Sequence, residues 1–268
     1  MRVTVFGSNG FIGQALTARL TTLGHEVIAR NRRTFDDPPP TGGFGTVIWT
    51  IGMTAGFRTR PFETVDAHVL ALARVLQQEA FSGFVLLSSA RVYLGAQGTG
   101  EVSALRVAPD QPDDLYNISK LMGESLVLST VPGARIARLS NVVGPGEIDR
   151  DTFLGMILRA GTEGHITLQT TLSSAKDYIW IEDAVDLLIR IASEGQSRIY
   201  NVASGRQIRH EAWTRAIAGQ TGTTVAVARD ASEIIVPPLD VTTIHREFGF
   251  TALDPVERIG EMLVTRRA

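Results

Sequence analysis

The sequence predicts an α/β fold: a doubly wound parallel-sheet Rossmann core carrying a small discontinuous C-terminal lobe. Three observations predict it. Short, continuously apolar runs recur along most of the chain, segments with helical apolar spacing separate several of them, and a glycine-rich turn follows the first run at once. Continuous apolar strands suit a sheet covered on both faces, and alternation with helices indicates parallel crossovers.

Strands are expected at 2–6 (RVTVF), 26–29 (EVIA), 46–52 (TVIWTIG), 83–89 (GFVLLSS), 134–140 (ARIARLS) and 197–203 (SRIYNVA). Helices are expected at 13–24, 65–80, 121–130 and 182–194, where apolar residues return every three or four positions. The helix over 121–130 has a start signal in Pro112-Asp113-Asp114 and a stop in Pro132-Gly133. The cluster 36–43 (DDPPPTGG) is too short and too proline-rich for a crossover helix, so a bare loop should join the second and third strands. After Gly144-Pro145-Gly146 the texture becomes mixed, with one further strand-helix unit near 178–203. The dinucleotide-binding domain is therefore placed at 1–144 and 177–204, and the substrate lobe at 145–176 and 205–268. The lobe is expected over the C-terminal edge of the sheet, where ligands of open α/β sheets bind.

The chain has 268 residues, long enough for a sizeable core. Its 26 basic and 28 acidic residues give a net charge of −2, and the arginines are scattered among acids, which argues against a nucleic-acid partner. With no cysteine there is no disulfide, thiolate ligand or cysteine nucleophile. No run approaches the roughly eighteen consecutive apolar residues of a membrane span, and RVTVF begins at residue 2 without a signal pattern; the expectation is a cytoplasmic protein with no membrane partner. His25, His68, His165, His210 and His245 show no paired ligand spacing, so no metal is expected and each is read as a surface or core histidine.

The turn Gly7-Ser8-Asn9-Gly10-Phe11-Ile12-Gly13 lies between the first strand and the first helix. There the first glycine allows the tight turn, the second lets backbone approach a pyrophosphate, and the third lets helix pack on strand. A dinucleotide is the expected ligand. The second strand ends in Arg30-Asn31-Arg32-Arg33, with no carboxylate to receive ribose hydroxyls and up to three guanidiniums for a 2′-phosphate. NADP(H) is favoured over NAD(H).

Only Lys120 and Lys176 are lysines. On the helix after Pro112, Tyr116 and Lys120 are i and i+4 and share a face. A phenol is a poor proton carrier at neutral pH, but a nearby ammonium and an oxidised nicotinamide both favour its anion. The pair is suited to moving a proton while a hydride moves. Ser88 and Ser89, ending the fourth strand, can each hold a substrate oxygen against that tyrosine.

Together, GSNGFIG, SSARVYLG, YNISKLMGE, RLSNVVGPG, KDYIWIEDAV, YNVASG and LDVTTIHREFGF, in that order, resemble the extended short-chain dehydrogenase/reductase family, in its nucleotide-sugar epimerase/dehydratase branch. The resemblance implies an NAD(P)-dependent, homodimeric enzyme with a nucleotide-sugar substrate. It implies that Tyr116 is the acid-base, that Lys120 holds the nicotinamide ribose, and that Ser89 orients the substrate oxygen. Thr50, Ile51 and Gly52 match the segment lining the cofactor; Asn141, Lys176 and Tyr178 match residues that contact the nucleotide sugar. The chain departs from the pattern in having lysine at 176 where an arginine fork is usual, a short 34–45 loop, and Gly45 where an acid often stands.

Family members that dehydrate the sugar carry an acid pair after the hydroxyl residue, where this chain has Ala90-Arg91. Those that epimerise beside the ketone often use a cysteine, which is absent. Reduction of a keto-sugar nucleotide is the leading expectation, a C4 epimerase with tightly bound NAD the alternative, and a non-catalytic NAD(P)-binding regulator the third.

Overall fold

The computed structural model describes residues 1–53 and 56–264, which divide into two compact units. The first comprises 1–139, 182–202 and 241–250. Its strands are β1 (Arg2–Phe6), β2 (Glu26–Arg30), β3 (Thr46–Trp49), β4 (Gly83–Ser89), β5 (Arg135–Leu139) and β9 (Ile199–Val202). They form one parallel sheet in the order β2-β1-β3-β4-β5-β9. Each coincides with an expected apolar run, except that β3 stops at Trp49 and leaves Thr50–Gly52 as non-strand backbone. The chain goes from β1 outward to β2, then back across to β3 on the other side of β1. The ends of β1 and β3 therefore flank the point where the winding reverses, the place such sheets bind ligands.

Helix α1 (Phe11–Thr22) follows β1. The next helical stretch is α2 (Pro61–Val65), a π-helical turn over Asp66–Leu70, and α3 (Ala71–Leu76). Helix α4 (Asp114–Thr130) carries the Tyr116–Lys120 pair, and α6 (Ile181–Glu194) precedes β9. Leu72, Val75 and Leu76 of α3 and Val127 of α4 cover one apolar sheet face made by Phe6, Val47, Trp49, Phe84, Leu86 and Ile136.

No helix or strand is formed between β2 and β3, as the prolines dictate. That loop instead puts aromatics onto the sheet: Phe44 meets Phe6 edge-on at 5.4 Å, and Phe35 meets Trp49 at 6.2 Å. Gly45, the departure noted at the start of β3, has φ of +67°, and a Cβ there would lie 2.4 Å from the Arg2 carbonyl oxygen, so an acidic residue does not fit.

The second unit comprises 140–181, 203–240 and 251–268, the last four of which lie outside the described residues. It contains β6 (Asn141–Val143), α5 (Phe153–Thr162), β7 (His165–Thr170), β8 (Ala175–Trp180), β10 (Gln207–Arg209), α7 (His210–Thr221), β11 (Thr224–Ser232) and α9 (Ile259–Met262). Strands β10-β8-β6 make a small sheet and β11-β7 a two-stranded one. Within the segment 205–268 expected for the lobe, α8 (Thr242–Phe248) instead belongs to the first unit. The cause is local: Phe248 stacks on Tyr200 of β9 at 5.7 Å, and the Glu247 carboxylate accepts from the Tyr200 hydroxyl at 2.6 Å. Among the described residues no helix is long and apolar enough to cross a membrane, and no cluster of three or more potential metal ligands is formed.

Candidate functional site

In the first unit the glycine turn is built for close backbone approach. Gly7 has φ of +89°, and a Cβ there would come within 2.5 Å of Thr50 Oγ1. A Cβ on Gly13 would stand 2.2 Å from the Gly7 carbonyl oxygen, so no side chain fits where α1 packs on the turn. Gly10 is the N-cap of α1, no side chain caps that helix, and its first turn holds no acid. The positive end of the helix dipole is thus left for an anionic ligand, beside exposed Asn9 and half-buried Phe11 and Ile12. Thr50 donates its hydroxyl to the Phe6 carbonyl at 2.8 Å, which holds the segment Thr50-Ile51-Gly52 alongside the turn. The cradle, the helix end and this segment fit a dinucleotide.

One expectation about that ligand is corrected. Arg30 does not point to a phosphate: it is 6% exposed, donates to the carbonyls of Thr34 and Pro38 at 2.8 Å each, and pairs with Asp37 at 3.2 Å. The bare loop needs its carbonyls satisfied, and Arg30 does that. Arg32 and Arg33 are exposed, while the Asn31 side chain accepts from the Arg33 N–H at 2.9 Å and shapes the turn. Two exposed guanidiniums, not three, stand at the end of this strand.

Tyr116, Lys120 and Ser89 come together at the C-terminal ends of β3 and β4. Tyr116 is buried, its ring 5.1 Å from both Phe57 and His68. Ser89 is close enough to act on its phenol, favouring the anion, and accepts from the Arg91 N–H at 3.2 Å. Lys120 lies 9% exposed, donates to the Leu87 carbonyl at 3.3 Å, and has Nζ 6.0 Å from the Tyr116 ring centroid. A Cβ on Gly52 would be 3.0 Å from that Nζ, so glycine there keeps the ammonium clear. Burial lowers the Lys120 ammonium to about 8, opposed by Glu124. Burial also raises the Tyr116 phenol above its ordinary value, against the Ser89 hydroxyl and the charge of Arg91. The charge that favours the phenolate is thus Arg91 and not the expected Lys120. Ser88 points the other way by strand alternation; its hydroxyl is buried without a partner among the described residues and is not brought to Tyr116.

His68, read only as a surface or core histidine, is a buried strap across this site. Its Nε2 accepts from the Met53 N–H at 3.0 Å, which leaves the proton on Nδ1 to donate to Ser119 Oγ at 2.8 Å. Ser119 in turn donates to the Tyr116 carbonyl at 2.9 Å. The segment after β3 and helix α4 are thereby tied together. The π-helical turn that carries His68 breaks the regular apolar spacing, and such turns concentrate at functional sites. Burial, then the Lys120 charge, lower His68 to about 3. An unfolded histidine binds a proton near about pH 6.5. Between those values the unfolded chain holds a proton that the folded chain refuses, so stability falls as pH drops through that window. His210, lowered to about 4 by burial and then Lys176, has the same sign. His68→Asn should make the decline measurably shallower in denaturant unfolding at stepped pH; an unchanged slope would contradict this assignment.

In the second unit, Asn141 donates from Nδ2 to the Asp177 carbonyl at 2.8 Å, joining β6 to β8. Lys176 has Nζ 5.8 Å from the Phe153 ring, which stacks on His210 at 4.1 Å. Tyr178, expected at the substrate, is 3% exposed and packed edge-on against Trp213 at 5.1 Å, with burial pushing its phenol up, so its ring is part of this unit's core. Alternation along β8 explains why Lys176 and Tyr178 share a face that the unit's core partly claims.

Residues 3–50 and 58–203 match the NAD dependent epimerase/dehydratase family. The chain is 27% identical to a GDP-6-deoxy-D-mannose reductase of Pseudomonas aeruginosa, over 77% of this chain and 75% of that one. It is 26% identical to a dTDP-6-deoxy-L-talose 4-dehydrogenase (NAD(P)(+)) of Kitasatospora kifunensis, over 93% and 90%. Among solved structures it is similar to MoeE5 in complex with UDP-glucose and NAD, at a TM-score of 0.82 and 25% identity, covering 98% of this chain and 97% of that one.

Proposed function

The chain belongs to the NAD dependent epimerase/dehydratase family and is an NAD(P)-dependent enzyme, and from that premise we propose that it reduces a keto-sugar nucleotide using NADPH. The observation that carries the reading is that the Ser89–Tyr116–Lys120 cluster holds a single proton carrier. Dehydration needs a second acid-base group to remove and return protons. Behind Ser89 stand Ala90 and Arg91, and the nearby imidazole, His68, has both nitrogens engaged. The reduced nicotinamide supplies the hydride. Ser89 orients the carbonyl oxygen, the protonated Tyr116 phenol donates to that oxygen as it gains charge, and Lys120 holds the ribose. Burial favours the protonated phenol, the form a reduction consumes.

The two curated relatives are named for a reductase and a dehydrogenase, names of net redox reactions, which favours reduction over C4 epimerisation. Exposed Arg32 and Arg33 support NADP(H). Asn141 and Lys176 are proposed as nucleotide-sugar contacts; Lys176 meets a diphosphate as a point charge and lacks an arginine's fork. The expected result with 4-keto-sugar nucleotides is NADPH oxidation with one alcohol formed per dinucleotide. A clear preference for NADH would reject the arginine assignment, and interconversion of C4 epimers without net dinucleotide turnover would reject the reduction. For the homodimer we propose contacts through exposed Phe62, Leu70 and Met122, on segments that pack together in α2, the π turn and α4. A monomer by sedimentation velocity would reject that.

A further inference from the structure

Arg91 stands two residues after Ser89, in the short 3-10 turn Ala90–Tyr93. Its guanidinium lies over two rings, 5.2 Å from the Phe57 centroid and 5.9 Å from that of Tyr116. Nη2 reaches Asp113 Oδ2 at 3.3 Å, but the same carboxylate is held more closely by Arg58, at 2.5 and 2.6 Å. Two guanidiniums therefore share one carboxylate, and positive charge is left over beside the phenol. Arg91 Nε is also buried with no partner among the described residues. The Arg91 side chain is 28% exposed, so solvent screens its outer edge while the Nε edge toward the rings is out of water. The charge has a use if an anion forms next to it, and the anion available at this place is the tyrosinate of Tyr116.

We infer that Arg91 is a positioning residue whose charge sets the proton affinity of the Tyr116 phenol, and that Asp113 sets how much of that charge the phenol feels. The inference rests on the reading of Tyr116 as proton donor. In the reduction the carbonyl carbon gains a hydride from NADPH, its oxygen gains the phenolic proton, and the tyrosinate left behind is reprotonated from solvent. Arg91 stabilises that transient anion. The other groups facing Tyr116 are the Ser89 hydroxyl from β4, the His68 ring edge from the π turn, Phe57 from the loop before α2, and Lys120 one turn along α4. Asp114, on the same helix, is engaged by the Ala108 N–H at 2.7 Å and by Asn117. His68 is neutral, so the charge that acts on the phenol is Arg91 and, through it, Asp113 with Arg58.

The test is the pH profile of keto-sugar nucleotide reduction together with an ultraviolet titration of tyrosinate, which needs no turnover. The donor must be protonated, so activity falls as pH rises through the phenol's value. Arg91→Gln should move that alkaline limb up by about one unit, a tenfold change in proton affinity. Arg91→Lys should leave it near the native position, and Asp113→Asn should move it down. The titration, taken as the difference from Tyr116→Phe for each variant, should shift in the same three directions. An Arg91→Gln limb and titration at the native positions would overturn the inference, as would equal displacement in Arg91→Lys and Arg91→Gln. If Tyr116→Phe instead turns over at the native rate, the donor assignment fails, while the titration still decides whether Arg91 acts on the phenol.

Discussion

Tyr116→Phe is expected to lower kcat for keto-sugar reduction by roughly a hundred- to ten-thousand-fold, the usual contribution of a positioned general acid. The ring's packing against Phe57 and His68 survives the change, because both contacts are to the ring at 5.1 Å and not to the hydroxyl. NADPH affinity should therefore stay within a few-fold of native, since the glycine turn and Thr50–Gly52 are untouched. This separates loss of a proton donor from loss of a pocket: a mutation that removes a transition-state interaction lowers kcat with little effect on ground-state binding. Binding titration and single-turnover reduction on the same preparation make the comparison. Unchanged turnover would remove Tyr116 from the chemistry, and a parallel collapse of NADPH affinity would make it a structural residue.

Much of this site is legible in the sequence because its chemistry depends on local spacing. The turn Gly7–Gly13 and the i, i+4 pair Tyr116–Lys120 each lie within one turn or one helix, so the chain alone places their backbone. Groups that depend on tertiary partners read less well. Arg30 looks like Arg32 and Arg33 in sequence, yet the carbonyls of Thr34 and Pro38 draw it inward. Tyr178 lies in a family-like segment, but which side of β8 it faces depends on Trp213, thirty-five positions on. His68 falls in a helical pattern that one π turn displaces, and no periodicity announces such a turn. Strands β6 and β10 have three residues each, too short for an apolar pattern. Arg91 did leave a trace: a cation where the resemblance leads one to expect an acid in sugar-dehydrating members of the family.

Glu124→Ala is expected to destabilise the first unit by about 3–5 kcal/mol, the cost of leaving one member of a buried ion pair alone. Arg138 of β5 and Glu124 of α4 are each 3% exposed; Nη2 meets one carboxylate oxygen at 2.7 Å and Nε the other at 3.1 Å. The same guanidinium donates through Nη1 to the Tyr93 hydroxyl at 2.8 Å, and Tyr93 donates to Asn201 Oδ1 at 2.8 Å. Helix α4, the turn bearing Arg91, and strands β5 and β9 are thus joined through one cation. Because the pair's attraction is largely offset by its desolvation, removing both charges should do less harm than removing one. Glu124→Leu with Arg138→Met is therefore expected to unfold at a higher denaturant concentration than Glu124→Ala, and the two substitutions should be strongly non-additive. Glu124 also lies one turn from Lys120 and opposes the burial that lowers its ammonium to about 8. Its loss should lower that value further, so that even a folded Glu124 variant loses the Lys120 charge at a lower pH than native. Additive single and double variants, or a Glu124→Ala chain as stable as native, would show that α4 is held in register by its apolar face alone.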